Sequence, residues 1–195
     1  MCSRYELSAK SPEIAKRFQL DSFPPMVNAA EIRPSNQALI VDEAGARLLR
    51  WGFQVSWDKK PVINARAESL AEKKTFKLLL DGNRCLVPTS AYFEWRRDGK
   101  VRRKNRIAPV AGGPFAFAGL TNGERFTIVT CLPSPGIAHI HNRMPVILAA
   151  QAEQRWLDLV NPYVAVADLL RPYGQHVLVA IEEPPSEVRQ LNLFG

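Results

Sequence analysis

What this sequence lacks already narrows what it can be. Cysteine is confined to Cys2, Cys85 and Cys131, an odd and sparse set with no C-x-x-C pair, which argues against a disulfide framework and against a zinc site. No stretch approaches the roughly 18 consecutive apolar residues of a membrane span. The N-terminal residues lack the basic segment, apolar run and cleavage site of a secretory signal. A protein of the cytoplasm, cytosolic or nucleoid-associated and without a membrane partner, is therefore expected. Internal repeats and low-complexity tracts are absent, and nothing calls for a cofactor or a metal.

What is present suits one core. At 195 residues and 46% hydrophobic composition, the chain is long enough for a sizeable interior and too short for two comfortable ones, so a single domain over 1–195 and a monomer are expected. Ser11-Pro12-Glu13 reads as a helix start, with a capping hydroxyl and a proline in the first turn. Residues 21–36, rich in proline and polar groups, read as an ordered loop. Residues 38–41 and 47–53 flank Asp42-Glu43-Ala44-Gly45 as a hairpin. Residues 67–80 have helical composition and end at Asp81-Gly82-Asn83. Strand-like segments follow at 85–88, 91–97, 114–120, 125–132, 145–149 and 176–181, with helices at 151–159 and 163–171. Strands in succession without regular intervening helices predict an α+β fold: a mainly antiparallel, strongly curled and open barrel-like β-sheet with short helices at its margins. Cys85 and Cys131 sit in apolar runs and read as small core residues.

Charge is unevenly placed. Residues 96–106 carry seven basic groups against one acid, which accounts for +6 of the formal +7. Such a stretch is either a solvated hairpin tip or a phosphate-facing patch that draws in nucleic acid and makes binding salt-sensitive.

Cys2 is the chemically distinctive residue. Removal of the initiator methionine, which a small penultimate side chain permits, would leave one residue with a free α-amine and a thiol. The amine condenses with an aldehyde to an imine, and the thiol then closes on the same carbon to give a five-membered thiazolidine, which an internal cysteine cannot do. The ordinary pKa of the amine, about 7.7–8.0, and of the thiol, about 8.5, leave part of the amine nucleophilic near neutrality. If Met1 is retained, the amine is blocked.

Other polar residues lie in apolar or aromatic settings. Glu94, within Tyr92-Phe93-Glu94-Trp95, has the surroundings that raise a carboxylic pKa and suit proton exchange near pH 7, or it faces water from a strand. His139 and His141 are equal candidates for a reactive imidazole on composition. Asn64 precedes an expected helix and reads as its N-cap or as a site residue. Arg66 and Arg143 are natural phosphate ligands, and Trp57 and Trp95 either stack on bases or belong to the core.

In this order and spacing the pieces resemble the SOS response-associated peptidase (SRAP) family, the abasic-site processing proteins that form covalent crosslinks to single-stranded DNA. The resemblance runs from Met1-Cys2-Ser3-Arg4-Tyr5 through Arg50-Trp51-Gly52, Ile63-Asn64-Ala65-Arg66-Ala67-Glu68, Arg84-Cys85-Leu86-Val87-Pro88 and Tyr92-Phe93-Glu94-Trp95. It continues through Phe117-Ala118-Gly119-Leu120 and His141-Asn142-Arg143-Met144-Pro145-Val146-Ile147-Leu148 to Trp156-Leu157. It implies that Cys2 is the crosslinking residue, that Asn64 holds its amine or the sugar, and that Glu94 and His141 move protons, His141 rather than His139. It also implies that Arg4, Arg66, Thr130 and Arg143 engage the DNA backbone while Pro34, Trp57 and Trp95 lie near the bases flanking the lesion. The expected partner is single-stranded DNA containing abasic sites, with weak lyase and N-terminal self-processing activity in addition. The chain departs from the family pattern at Ser3, Val55 and Ala91, and at Ala30-Glu31, which brings an acid near a DNA-binding surface.

Two rival readings fit the same residues. A cysteine hydrolase or self-processing peptidase would use Cys2 as nucleophile and His141 as base. A non-catalytic single-strand binding module would rest on the basic stretch at 96–106.

Overall fold

The computed structural model describes residues 2–22, 24–25, 29–174 and 177–184, with backbone alone at 29–30. Its elements in chain order are β1 (Tyr5–Leu7), α1 (Ser11–Phe18), β2 (Ala29–Ile32), β3 (Gln37–Asp42), β4 (Gly45–Trp51), β5 (Phe53–Val55), β6 (Asp58–Val62), β7 (Asn64–Arg66), α2 (Lys74–Lys77), β8 (Arg84–Thr89) and β9 (Ala91–Asp98). There follow β10 (Val101–Pro109), β11 (Phe115–Thr121), β12 (Arg125–Cys131), β13 (Met144–Pro145), β14 (Ile147–Leu148), α3 (Ala150–Leu157) and β15 (Leu178–Glu182).

Five strands close on themselves in the order β12-β4-β3-β8-β11, because β11 pairs with β12 as well as with β8. The expected curled sheet is therefore present, and its curl runs to closure, which removes the exposed edges that an open sheet would leave. All contacts in the ring are antiparallel except the parallel seam of β12 with β4, at Arg125↔Arg50 and Phe126↔Trp51. Trp51 and Phe126 stack across that seam, centroids 6.4 Å apart, and the Trp51 indole donates to the Ile63 carbonyl at 2.9 Å. Strands β8 and β11 are buried at every position, as expected of strands covered on both faces.

A second sheet, β15-β10-β9-β1-β2, packs against the barrel. Tyr5 of β1 meets Trp51 and Phe117 edge to face at 5.2 and 5.9 Å, and Tyr92 of β9 meets Phe117 at 5.9 Å. These contacts join the sheet that carries Cys2 to the barrel that carries Asn64. Behind β8, the buried guanidinium of Arg84 lies over Trp156 and donates to the carbonyls of Trp156, Leu80, Asp158 and Asn161 at 2.6–2.8 Å. One side chain thus satisfies backbone acceptors where α3 ends.

Several local expectations are corrected. The helix at 11–18 is capped from Lys10 rather than by the Ser11 hydroxyl, and Pro12 does occupy its first turn. Part of the 21–36 stretch is strand β2, paired with β1; residues 23 and 26–28 lie outside the described set. Residues 67–80 form only a 3-10 turn at Ala67–Ser69 and the single turn α2, because Leu70, Phe76 and Leu80 are buried one by one instead of along a helical stripe. Residues 163–171 likewise hold two 3-10 turns instead of a helix. Asn64 lies in a strand, not at an N-cap. The basic stretch 96–106 does form a hairpin, one of the two settings expected for it, with β9 and β10 turning at Gly99, φ +59°. The last expected strand begins at Leu178; residue 176 is outside the described set. Cys85 and Cys131 are buried core residues as expected.

Gly119 sets how tightly the barrel closes. A Cβ there would stand 2.9 Å from the Cys85 sulfur, 3.0 Å from Val87 and 3.2 Å from the Thr127 carbonyl. Gly119→Ala should therefore destabilise the protein by about 1–3 kcal/mol in denaturant unfolding, the usual cost of overpacking. Gly82→Ala, where a Cβ meets open space, is the control and should leave the midpoint nearly unchanged.

Candidate functional site

Cys2 is fully buried, although it precedes the first strand. The pairing of β1 with β9 at Tyr5↔Tyr92 and Glu6↔Ala91 and the Phe93 amide donating to the Arg4 carbonyl at 2.9 Å carry the chain inward beside β9. The Cys2 thiol points back to the Arg4 carbonyl at 3.7 Å. Burial, and then the neighbouring Glu94 carboxyl, push the thiol above its ordinary range, so it rests as a protonated thiol.

Glu94 lies on β9 and is 4% exposed. Burial pushes its carboxyl up to about 7, so near neutrality it both holds and releases a proton. The His141 Nδ1 is 3.9 Å from Glu94 Oε1 and lies 3.1 Å from the Arg143 backbone nitrogen and 3.2 Å from the Arg143 carbonyl, accepting from the one or donating to the other according to the tautomer. Burial lowers the His141 pKa. His139 is exposed, so the structure separates two histidines that composition left equal.

Asn64 completes the cluster. Its Nδ2 donates to the Cys2 carbonyl at 2.8 Å, while its buried Oδ1 has no hydrogen-bond partner among the described residues. The side chain reaches Cys2 because β7 runs parallel to β12 at Ile128↔Asn64 on the rim of the barrel. Cys2, Asn64, Glu94 and His141, spread over about 140 positions, are thus brought to one place.

The expected DNA-contacting residues divide into groups. Thr130 is buried, its hydroxyl donating to the Ala65 carbonyl at 3.4 Å. Its carbonyl accepts from Arg143 Nη2 at 2.7 Å. Arg143 also makes a two-pronged ion pair with Glu68 at 2.8 and 2.9 Å; that guanidinium holds the Glu68 carboxyl below its usual range. Arg66 is exposed. The Arg4 guanidinium lies 5.6 Å from the centre of the half-buried Trp95 ring. Trp57 stands 68% exposed at the β5–β6 turn, and Pro34 is half-buried.

Glu31 has a larger place than its sequence neighbourhood suggests. It pairs with Arg4, with Arg33 at 2.8 Å and with Lys104 at 3.1 Å. Burial opposes its ionisation, but Lys104, Arg4 and Arg33 outweigh that and hold the carboxyl at about 2. Glu68 and Arg33 were not singled out from sequence, and Lys104 only as part of 96–106; no local signal marks the Glu31–Lys104 and Glu68–Arg143 pairs, whose halves lie 73 and 75 residues apart.

A family model described as SOS response associated peptidase (SRAP) matches residues 1–185. The chain is 35% identical over 196 residues to the abasic site processing protein YoqW of Bacillus subtilis (strain 168), covering 89% of this chain and 88% of that protein. It is 29% identical over 178 residues to the abasic site processing protein YedK of Escherichia coli (strain K12), covering 80% and 79%. A solved structure from Bacteroides thetaiotaomicron superposes with a TM-score of 0.82 at 23% identity, over 94% of this chain and 93% of that one. One from Bordetella bronchiseptica gives 0.81 at 24% identity, over 94% and 100%. At those identities the structural likeness is one of fold. The matched range runs along nearly the whole chain and includes the cluster around Cys2, and the chain belongs to the SOS response-associated peptidase family.

Proposed function

We propose that this protein processes abasic sites in DNA by capturing them, in single strands, as a covalent thiazolidine at Cys2 once Met1 has been removed. The observation that carries this reading is the convergence of Asn64, Glu94 and His141 on a buried Cys2. The names of its relatives, abasic site processing proteins, support the same substrate. Met1 lies outside the described residues, and its removal, by self-processing or otherwise, is part of the proposal.

The chemistry follows from protonation states. An abasic site equilibrates with a ring-opened aldehyde. The thiol is held protonated, so the α-amine attacks C1′ first, with Asn64 Oδ1 available to accept one of its N–H groups. Glu94, protonated about half the time near pH 7, gives its proton to the departing oxygen and water leaves an iminium. The thiol then adds to the same carbon, and its proton passes to Glu94 or to neutral His141. The adduct is protein plus DNA less one water. At the iminium stage, loss of a C2′ proton and departure of the 3′ phosphate would give the weak lyase reaction. A cysteine hydrolase needs a thiolate, which the burial of Cys2 opposes. A pure binding module would need the basic stretch free, but Arg96, Arg103, Lys104 and Arg106 are already paired with carboxylates.

Intact mass should show loss of Met1, and incubation with a single-stranded oligonucleotide containing one abasic site should give a heat-stable band on denaturing electrophoresis. Cys2→Ser should remove that band; its persistence would end the proposal.

Glu94 also ties function to stability. A glutamate that titrates near 4.3 in the unfolded chain and at about 7 when folded binds its proton more tightly in the native state. Stability therefore falls as pH rises through about 4 to 7 and stays lower above, by on the order of 3 kcal/mol. Glu94→Gln should be more stable than the parent at pH 8 and equal to it at pH 4 by thermal unfolding, while slowing adduct formation by about 100-fold or more.

Glu31 should restrain DNA affinity. Glu31→Gln releases Arg4 and Arg33 and leaves Lys104 to Glu183 alone, and single-strand binding at low salt should tighten several-fold. The slope of log affinity against log salt should steepen by about 0.7 for each cation newly engaged. An unchanged affinity and slope would show that these cations do not face the DNA.

A further inference from the structure

The seven bases at 96–106 are not equivalent. Arg96 pairs with Glu182 at 2.9 Å, Arg103 with Asp98 and Glu182 at 2.7 and 3.0 Å, Lys104 with Glu31 and Glu183 at 3.1 and 2.8 Å, and Arg106 with Glu6. Arg97, Lys100 and Arg102 make no ion pair among the described residues. Arg97 and Arg102 moreover stand directly opposite one another across the β9–β10 ladder, an arrangement that like charges disfavour.

The two exposed arginines line a recess of about 440 Å³ together with Trp95, His139, His141 and Asn142. The recess shares His141 with the Cys2 cluster, and Trp95 with the Arg4 and Glu31 side of the site. The charge of Arg102 reaches both Glu94 and His141, each of which it favours in the form carrying less positive charge. A pair of guanidinium groups next to an aromatic face suits one anion with two or more acceptor oxygens. Arg143, two residues from His141, is already engaged by Glu68 and would have to exchange that carboxylate for a phosphate.

We propose that Arg97 and Arg102 form a phosphodiester subsite that seats one phosphate next to the lesion on the strand that reacts with Cys2. This rests on the abasic-site reading above. The pair acts as an anchor for the strand and takes no part in bond making. The source of the phosphate is the DNA strand, because the recess opens beside the reacting cluster, where the strand must pass.

The test uses a single-stranded oligonucleotide bearing a tetrahydrofuran analogue, which cannot form the adduct, with one phosphate at a time replaced by a neutral methylphosphonate. For the native protein, one replacement next to the analogue should weaken binding about tenfold by fluorescence anisotropy. Arg97→Gln/Arg102→Gln should bind the unmodified oligonucleotide about tenfold more weakly, and the same replacement should then have no further effect. If the double variant binds as well as the parent, or if the replacement still costs tenfold in it, the subsite is refuted. Competition by inorganic phosphate beyond that of chloride at equal ionic strength, lost in the variant, would assign the recess to a free anion and also overturn the proposal. A true abasic oligonucleotide separates the two readings. At saturating DNA the double variant should still form the heat-stable adduct that Cys2→Ser lacks; failure of the native protein to form it would refute the Cys2 reading, with the anisotropy result judged separately. Thermal unfolding of the variant, expected at or slightly above the parent because the like-charge pair is removed, checks that both substitutions leave the fold intact.

Discussion

Strand β1 is three residues long, yet its seating between β9 and β2 holds the rest of the site in place. Backbone hydrogen bonds to β9 bring Cys2 level with Glu94, and the Tyr5 ring, packed on Trp51 and Phe117, ties that strand to the barrel wall from whose rim Asn64 reaches across. Without this pairing Cys2 would be a residue of a solvated terminus, where disorder is the rule. With it, the thiol and its neighbours share one poorly solvated space.

That space has a common electrostatic effect. Low dielectric penalises whichever form is charged, so the Cys2 thiol and the Glu94 carboxyl move up and the His141 imidazole moves down. All three tend toward neutrality near pH 7, which allows protons to be exchanged without separating full charges in the interior. Toward solvent the logic reverses. Cations and carboxylates are kept ionised by one another, Glu31 by Lys104, Arg4 and Arg33, and Glu68 by Arg143. The interior and the rim thus perform different tasks with the same few residue types.

Much of this was legible from sequence, for identifiable reasons. The strands of the barrel announce themselves because β8, β11 and β12 are apolar almost throughout, and the 37–51 hairpin because Asp42-Glu43-Ala44-Gly45 interrupts two apolar runs. Residues 67–80 misled because helix-favouring composition says nothing about whether the apolar residues share a face; here they anchor separate turns. Strand β2 escaped notice because its pairing partner lies at the chain's start and its own residues are ordinary. The cluster of Cys2, Asn64, Glu94 and His141 was reached through a family resemblance, since local spacing contains no trace of contacts between residues so far apart. The pairing of Glu31 with Arg4 and Lys104, and of Glu68 with Arg143, depends on three-dimensional proximity.

The depth of Cys2 has one more consequence. Thiol oxidation begins with an exposed thiolate, and this chain offers none among the described residues: Cys2, Cys85 and Cys131 are all buried, and burial pushes each thiol up. A thiol held in that state is shielded from peroxide and from mixed-disulfide formation. Under the function proposed above, the fold therefore serves as storage as well as scaffold, keeping Cys2 chemically intact until a substrate enters beside it.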